Sequence, residues 1–221
     1  MWQGPLPGGA KQLQGSGLRR TGRAELRDLR ASEVQGRQLI ASLRIVELRD
    51  ALEHAKTSPV GGNPDGDVTI VEFFDYRCPY CKKAHDIVSK VIEADGKVRL
   101  VYKEFPILGP DSVVASRAAL AAFIVEPSKY DAFYDALMRS KGPLPEARVF
   151  EIAKTVGFDT EALRKSMDDP AIGQEIGHNR ALAQELEITD TPAFVIGGKL
   201  YPGMLEADNL IAAIAAAREK G

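Results

Sequence analysis

The chain has 221 residues, of which 44% are hydrophobic and 27% are charged, and its formal net charge is −2. The composition is typical of a soluble globular protein, and the small net charge implies no polybasic or polyacidic partner, so we expect no nucleic acid among the partners. No run of about 18 apolar residues occurs, so we expect no membrane-spanning helix. The start of the chain is rich in Gly and Pro and lacks the apolar stretch of an export signal, so we expect none in the chain as given.

The N-terminal segment differs in charge from the rest of the chain, because residues 1–50 hold nine Lys and Arg against five Asp and Glu. We predict disorder over 1–22, where Gly and Pro cluster, and a helix over 23–56, which contains no Pro. The apolar stripe from Leu39 to Leu52 is compatible with a surface helix or with an oligomerisation segment. We predict a linker at 57–67, where Pro, Gly and Asn cluster again.

The pattern that follows predicts a strand, a helix and a second strand. Val68–Asp75 is a run of β-branched and aromatic residues and predicts a buried central strand. Cys81–Ala94 has apolar residues spaced for one buried helical face, and Lys97–Phe105 predicts the next strand. The order is that of a βαβ unit.

The remainder of the chain first becomes helical and then returns to strands. Residues 111–187 have helical periodicity with breaks at Pro and Gly, which predicts an inserted helical subdomain. Pro192–Ile196 and Lys199–Tyr201 predict a hairpin around the Gly197-Gly198 turn. We predict a last helix over Leu205–Lys220.

The chain contains only two cysteines, Cys78 and Cys81, separated by Pro79 and Tyr80. No further cysteine is available for a structural disulfide or for a zinc site of four thiolates. The three histidines are scattered along the chain: His54, His85 and His178. We therefore expect no metal site, and we interpret His85 as a partly buried helix residue.

Three sequence features together resemble the DsbA-like branch of the thioredoxin superfamily. The segment TIVEFFDYRCPYC resembles the strand that leads into the family's Cys-Pro-X-Cys motif. Thr191-Pro192 falls where the family has its cis-proline loop, and Pro202-Gly203 precedes the last helix as in the family. Within this branch, VGGNPDGDVTIVEFFDYRCPYC is similar to the ScsC-type proteins, the periplasmic suppressors of copper sensitivity. The resemblance covers about residues 60–220.

The resemblance carries expectations for fold and function. It implies an α/β thioredoxin fold over 68–221 with a helical insertion at about 111–187, preceded by an N-terminal helix. It implies a thiol–disulfide oxidoreductase that acts on protein cysteines in the bacterial periplasm, with a redox partner that recycles the dithiol and no cofactor. The ScsC-type proteins carry N-terminal helices that mediate oligomerisation, which implies a homo-oligomer through residues 24–56.

The two cysteines are predicted to have different roles. If Cys78 lies at a helix N-terminus, unpaired backbone N–H groups and the helix dipole stabilise its thiolate, and Pro79 fits the first turn. Cys81 then lies one turn further along and can close a disulfide onto Cys78. Tyr80 stands where strong oxidants of the family often have a His, which indicates a less extreme thiolate.

Glu72 interrupts an otherwise apolar strand six residues before Cys78. In the superfamily a buried acid at the matching position handles the proton of the second cysteine, so we expect Glu72 to have a raised pKa and to accept the proton of Cys81. The alternative is an acid at a strand edge that faces water. Lys103, on the next strand, is a candidate partner for Glu72.

Thr191-Pro192 is the predicted cis-proline site. We expect the backbone of Thr191 to pair with an extended substrate peptide beside Cys78, and Pro79, Tyr80 and Pro192 to complete the substrate-binding surface. The alternative is a trans proline that only begins a strand.

Three classes of function remain open on the sequence. The first is a dithiol enzyme acting as oxidase, isomerase or reductase. The second is a carrier that binds Cu(I) through the same two thiolates, which are soft ligands. The third is a non-catalytic interaction module on a thioredoxin scaffold.

Overall fold

The computed structural model describes residues 18–219 together with Met1 and Gly4. The chain divides into two units, Met1–Ile40 and Ala41–Gly221. Helix α1, Leu18–Glu47, begins in the first unit and ends in the second. Most of the segment predicted to be disordered, 1–22, lies outside the described residues; besides Met1 and Gly4, only residues 18–22 of it are described, and they form the start of α1.

The second unit is a mixed α/β domain. After α1, its helices and strands in chain order are α2 (Arg49–Glu53), β1 (Val60–Gly62), β2 (Val68–Phe74), α3 (Pro79–Asp95), β3 (Val98–Glu104), α4 (Pro110–Val125), a short 3₁₀ turn (Pro127–Lys129), α5 (Tyr130–Arg139), α6 (Glu146–Val156), α7 (Thr160–Ser166), α8 (Pro170–Glu185), β4 (Ala193–Ile196), β5 (Lys199–Pro202) and α9 (Ala207–Arg218). This is the predicted α/β class, with helices α4 to α8 inserted between the two halves of the sheet. No helix in the described part of the chain is both long enough and apolar enough to cross a membrane.

The strands form one sheet in the order β1-β3-β2-β4-β5. Strands β2 and β3 are parallel, and the other pairs are antiparallel. Both β2 and β3 are covered on their two faces, which explains why the sequence of β2 is almost continuously apolar rather than alternating, although β3 also carries Arg99, Lys103 and Glu104.

The two faces of the sheet support two separate hydrophobic cores. Ile70 and Phe74 face a large core shared with α3, α9 and most of the helical insertion. Val71 and Phe73 face a smaller core that includes Ile45 of α1, together with residues of α2 and α8. Because successive side chains of a strand point to opposite faces, Glu72 belongs to the face of Ile70 and Phe74.

The structure differs from the predicted linker at 57–67, because Val60–Gly62 forms the edge strand β1 and pairs with β3. The glycines that indicated a flexible connection allow a close approach instead. A Cβ on Gly61 would lie 2.5 Å from the hydroxyl oxygen of Tyr102, and Gly62 has a φ of +65°. A side chain at either position would therefore clash or be strained.

The packed unit also begins before Val68, the predicted start of the domain. Ile45 and Leu52 are buried in the smaller core. Lys103 donates a hydrogen bond to the backbone oxygen of Ala51 at 2.8 Å, and Arg99 donates to that of Glu53 at 2.7 Å. The end of the predicted N-terminal helix is therefore part of the domain.

Candidate active site

The cysteine pair lies where β2 ends and α3 begins. Cys78 is the N-cap of α3, with an extended backbone (φ −72°, ψ 119°), and Pro79 occupies the first helical turn. Pro79 fits this position because an N–H group in the first helical turn has no acceptor within the helix, so the N–H that proline lacks costs no hydrogen bond. The N–H of Cys78 donates to the backbone oxygen of Asp75 at 3.0 Å, which closes the turn between strand and helix. The motif is thus held at the end of a central strand.

The two thiols are both reduced, and they differ in burial and acidity. Cys78 is 5% exposed and Cys81 is 0% exposed. A hydrogen bond from the Cys81 thiol is the largest cause that lowers the pKa of Cys78 from 9.0 to about 5, against the opposing effect of burial. Burial, followed by this same hydrogen bond, raises the pKa of Cys81 well above its usual value. At neutral pH the pair is therefore one thiolate and one thiol.

Thr191 lies against Cys78. The Cys78 thiol, when protonated, donates to the backbone oxygen of Thr191 at 3.2 Å. The Thr191 side chain is also a smaller cause of the low pKa of Cys78. The Thr191–Pro192 peptide bond is cis. The structure thus brings residues 113 positions apart to one site.

Glu72 is 0% exposed and lies in the middle of the sheet, opposite Tyr102 of β3 and Phe194 of β4. The Tyr134 hydroxyl donates to its Oε2 at 3.2 Å, whereas Oε1 has no hydrogen-bond partner among the described residues. Burial raises the pKa of Glu72 from 4.5 to about 7, and the Tyr134 hydrogen bond partly opposes this rise. The alternative of a strand-edge acid that faces water is therefore wrong.

Lys103 does not pair with Glu72, so that expectation was wrong. Lys103 is level with Phe73 in the parallel register, which directs its side chain to the opposite face of the sheet. There it donates to the hydroxyl oxygen of Ser58 at 2.7 Å as well as to Ala51.

Asp75 is a buried residue that the sequence analysis did not single out. Its carboxylate accepts hydrogen bonds from four donors: the N–H of Arg77 at 2.7 Å, the N–H of Ile107 at 2.9 Å, the N–H of Leu108 at 3.0 Å and the hydroxyl of Ser112 at 2.8 Å. These bonds join the motif turn to the loop after β3 and to α4. An acid directly after a strand is a signal for such a turn, but its distant partners are not visible in the sequence.

Lys82 and Tyr134 join the site to the helical insertion, and the sequence analysis missed both. The Lys82 ammonium donates to three backbone oxygens at the end of α5: Leu137 at 3.0 Å, Met138 at 3.1 Å and Ser140 at 2.9 Å. Lys82 thus adds to the capping of this helix terminus, where the Leu137 oxygen also accepts from the N–H of Ser140 at 3.2 Å and from its hydroxyl at 2.6 Å. Burial lowers the pKa of Lys82.

The remaining predicted residues lie around the motif. Pro79 and Tyr80 are exposed beside Cys78, and the Lys83 ammonium lies 5.5 Å from the centre of the Tyr80 ring. His85 is buried, and its Nε2 lies 2.8 Å from a carboxylate oxygen of Asp135. Within the described residues, no group of three or more His, Cys, Asp or Glu side chains is placed to hold a metal ion.

Comparison with solved structures places this geometry among thioredoxin-like proteins. A thioredoxin-like oxidoreductase from Silicibacter pomeroyi is 47% identical, with a TM-score of 0.75 over 78% of this chain and 99% of that one. The thiol-disulfide exchange protein alpha-DsbA2 of Wolbachia pipientis is 30% identical, with a TM-score of 0.77 over 82% and 97%. A linker-deletion mutant of Proteus mirabilis ScsC is 27% identical, with a TM-score of 0.79 over 96% and 100%.

Comparison with curated sequences gives two kinds of relative. Disulfide bond formation protein D of Bacillus subtilis is 25% identical, over 70% of this chain and 74% of that protein. Na⁺/H⁺ antiporter NhaA 3 of Salinispora tropica is 27% identical over 72% of this chain, but the chain spans only 24% of the antiporter. The thioredoxin family model matches residues 54–216. The chain therefore belongs to the thioredoxin family, in its DsbA-like group of thiol–disulfide oxidoreductases that includes ScsC.

Proposed function

We propose that this protein exchanges disulfides with the cysteines of other proteins through Cys78 and Cys81. The observation that carries the proposal is the geometry of the pair: Cys78 is the N-cap of α3 and its sulfur accepts from the N–H of Cys81 at 3.4 Å, whereas Cys81 is fully buried. This geometry displaces the two pKa values in opposite directions, to about 5 for Cys78 and well above the usual value for Cys81. The thiolate is the attacking form of a cysteine, so at neutral pH only Cys78 is ready to attack a substrate.

The proposed reaction has two exchange steps. The Cys78 thiolate attacks one sulfur of a substrate disulfide, which forms a mixed disulfide and releases the other substrate sulfur as a thiolate. The Cys81 thiol then loses its proton and attacks Cys78. The Cys78–Cys81 bond forms, the bond to the substrate breaks, and the substrate leaves as a dithiol. The substrate is reduced by two electrons, the protein is oxidised by two, and the reverse sequence oxidises a substrate dithiol.

Glu72 is the proposed proton acceptor for Cys81. A carboxyl group with a pKa of about 7 is present in both protonation states near neutral pH, which suits it to take up and return a proton. Its charge also contributes to the raised pKa of Cys81, so the two groups interact. This interaction and the burial of both groups support the role.

The low pKa of Cys78 favours an oxidase or isomerase over a reductase. A stabilised thiolate stabilises the reduced protein and makes its disulfide a stronger oxidant. A pKa of about 5 lies between the values of about 7 in thioredoxin and about 3.5 in DsbA. The redox potential measured against glutathione buffers decides between these directions.

Substrate contact is proposed for four residues around Cys78. Pro79 and Tyr80 are exposed on the motif itself, and Thr191 and Pro192 form the loop that touches the Cys78 sulfur. An extended substrate chain could pair with the backbone of Thr191 while its cysteine reaches Cys78. A redox partner that recycles the dithiol would use the same surface.

The proposed setting is the bacterial periplasm, where disulfide exchange among secreted proteins takes place. The family includes a protein described as periplasmic, the thioredoxin-like protein of Salmonella enterica serovar Typhimurium, which is 26% identical with a TM-score of 0.69. Cell fractionation with compartment markers tests this placement, and recovery of the native protein with the cytosolic marker would contradict it.

Homo-oligomerisation through residues 24–56 is a further part of the proposal. Among the α1 side chains that the structure describes, five large apolar ones are exposed: Leu29, Leu39, Ile40, Leu43 and Val46. Exposed apolar residues at helical spacing are typical of helix–helix association. The double change Leu39→Glu and Leu43→Glu should reduce the mass measured by light scattering, whereas Gln38→Glu on the same helix should not. Equal masses for both variants would contradict homo-oligomerisation through this helix.

A Cu(I) carrier is the alternative use of the two thiolates, and single cysteine variants separate it from the enzyme. Cys81→Ala should trap substrate proteins as mixed disulfides on Cys78, because no other cysteine of the chain can release them. Cys78→Ala should trap few, because Cys81 is buried and weakly acidic. Non-reducing gels of cells that express each variant measure the adducts. Equal yields, or none from either variant, would contradict the exchange mechanism.

A further inference from the structure

The proton acceptor Glu72 is held by a residue of the helical insertion. Its side chain lies within the sheet, where the pairing positions on both sides are occupied by Tyr102 and Phe194. Only Oε2 receives a hydrogen bond from the described residues, and the donor is the hydroxyl of Tyr134 on α5, 62 positions away in the chain. The carboxylate is therefore held from one side.

Tyr134 is itself fixed by a cluster of rings. Its ring centre lies 5.1 Å from that of Phe74, 4.5 Å from that of Tyr102 and 5.1 Å from that of His85. Two of these contacts are edge-to-face, an arrangement that fixes ring orientation as well as position. Lys82 joins the end of the same helix to α3, which contains Cys81 and has Cys78 as its N-cap. The Tyr134 hydroxyl thus has a fixed position relative to the active-site helix.

We propose that Tyr134 is a positioning residue for the proton transfer between Cys81 and Glu72. By donating to Oε2, it holds the carboxylate in one orientation and leaves Oε1 as the oxygen that takes the proton. The inference rests on the proposed function, because it assumes that Glu72 receives the Cys81 proton. In that step the S–H bond of Cys81 breaks, an O–H bond forms on Oε1, and the sulfur electron pair attacks Cys78.

Tyr134 also adjusts the range of pH in which Glu72 can act. Its hydrogen bond favours the carboxylate and opposes the rise in pKa that burial causes. The other titratable groups that interact with Glu72 are Cys81 from α3 and Tyr102 from β3. Strand β4 presents Phe194 at this level, and the buried residues of α9 are apolar. Tyr134 is the group among them that donates a hydrogen bond to the carboxylate in the structure.

The test follows the two exchange steps separately in reduced protein mixed with dithiobis(nitrobenzoate), which releases a coloured thiolate at each step. The first phase reports the attack by Cys78, and the second reports the attack by Cys81. In the unchanged protein the rate of the second phase should rise with pH around a midpoint near 7, the pKa of Glu72. Tyr134→Phe should move this midpoint upward by about one pH unit, because a hydrogen bond to a charged group is lost. Below the midpoint, the second phase should be about tenfold slower.

The matched control is Tyr130→Phe, which removes another buried hydroxyl from the same helix. Tyr130 donates to Glu104 at 3.1 Å rather than to Glu72. Its variant should keep the midpoint of the second phase, and both variants should keep the rate of the first. The difference between the variants isolates the Glu72 hydrogen bond from general damage to the ring cluster.

The outcomes separate the inference from the proposed function. If Glu72→Gln leaves the second phase unchanged, the role of Glu72 fails and the inference fails with it. If Glu72→Gln slows the second phase but Tyr134→Phe keeps the original midpoint, only the inference is overturned. Unfolding of Tyr134→Phe while Tyr130→Phe remains folded would assign Tyr134 to stability alone and would also overturn it. With Glu72→Gln already present, adding Tyr134→Phe should slow the second phase no further.

Discussion

Two carboxyl groups are buried on the same face of the sheet, and they are held in opposite ways. Glu72 and Glu104 are both 0% exposed, and burial raises the pKa of each, to about 7 and about 8. Glu104 accepts hydrogen bonds on both oxygens from three hydroxyl groups, those of Tyr76, Tyr130 and Ser116. Glu72 accepts one, and its Oε1 has no partner in the described part of the chain.

The number of hydrogen-bond partners distinguishes a structural acid from a reactive acid in a protein core. A buried polar group without a partner costs free energy, so a folded protein rarely retains one without another use. Both carboxylate oxygens of Glu104 have hydrogen-bond donors, which is typical of a structural acid, and these bonds join β3 to α4 and α5. Glu72 has an oxygen without a partner, and its charge acts on the buried thiol of Cys81, which is typical of an acid that exchanges protons.

The largest expected effect is on stability at Glu104. Glu104→Leu should lower the free energy of unfolding by at least about 3 kcal/mol, because three buried hydroxyl groups lose their acceptor. Glu72→Leu leaves only the Tyr134 hydroxyl without an acceptor and removes an unpaired oxygen, so it should cost less than half as much. Urea denaturation of both variants measures the difference. Equal losses of unfolding free energy in the two variants would contradict the distinction between a structural and a reactive acid.

The next effect is the dependence of stability on pH. The pKa of Glu72 is about 7 in the folded protein against a usual value of 4.5, so the protonated carboxyl group favours the folded state. This contribution to the free energy of unfolding is fully present below pH 4.5. It is lost as pH rises to about 7, by about 3 kcal/mol in total. Glu72→Gln should therefore gain stability relative to the unchanged protein between pH 5 and 7. A constant difference across this range would show that the pKa of Glu72 is not raised.

A smaller effect is expected on the rate of exchange. Glu72→Gln should slow the attack of Cys81 on a mixed disulfide by about tenfold to a hundredfold, because the proton acceptor is lost. Glu104→Gln should change this rate by less than about twofold. Rapid-quench mass spectrometry of the mixed disulfide with glutathione measures both. A similar slowing in the two variants would indicate damage to the core rather than loss of a base.

The smallest effect on stability is expected when Glu104 loses one of its three hydroxyl donors. Tyr76→Phe removes one donor to Glu104 Oε1, but Tyr130 still donates to the same oxygen. The loss in the free energy of unfolding should be about 1 kcal/mol, with the rate of Cys81 attack unchanged. Thermal unfolding gives the stability, and a loss above about 3 kcal/mol would show that the two donors are not interchangeable.

The sequence identified the site through local features. The spacing of Cys78 and Cys81 and the Pro at the first helical turn follow from helix geometry, which depends on neighbouring residues. The burial of Glu72 could be inferred because both of its neighbours are apolar. The prediction failed for Lys103, which was paired with Glu72 although it lies one position further along its strand. A shift of one residue places a side chain on the other face of a sheet.

The N-terminal boundary shows a second limit of the sequence. Pro, Gly and Asn at 57–67 indicated a linker, and the segment contains turns, but its glycines also allow β1 to approach Tyr102. Ile45 and Leu52 belong to the packed domain because they fill a core whose other members lie in or next to β2, β3, β4 and α8. A cut at residue 56 would therefore remove part of a core, whereas the boundary between the two units lies at Ile40.

The sequence by itself determined the α/β class, the position of the dithiol at a helix start and the burial of the acid in the strand before it. Each of these depends on residues a few positions apart, whose relation is fixed by backbone periodicity. The tertiary structure alone decided the partners: Tyr134 for Glu72, Thr191 for Cys78 and the loop after β3 for Asp75. Hydrogen bonds across 32 to 113 positions depend on how helices and strands pack, and a linear pattern does not record that packing.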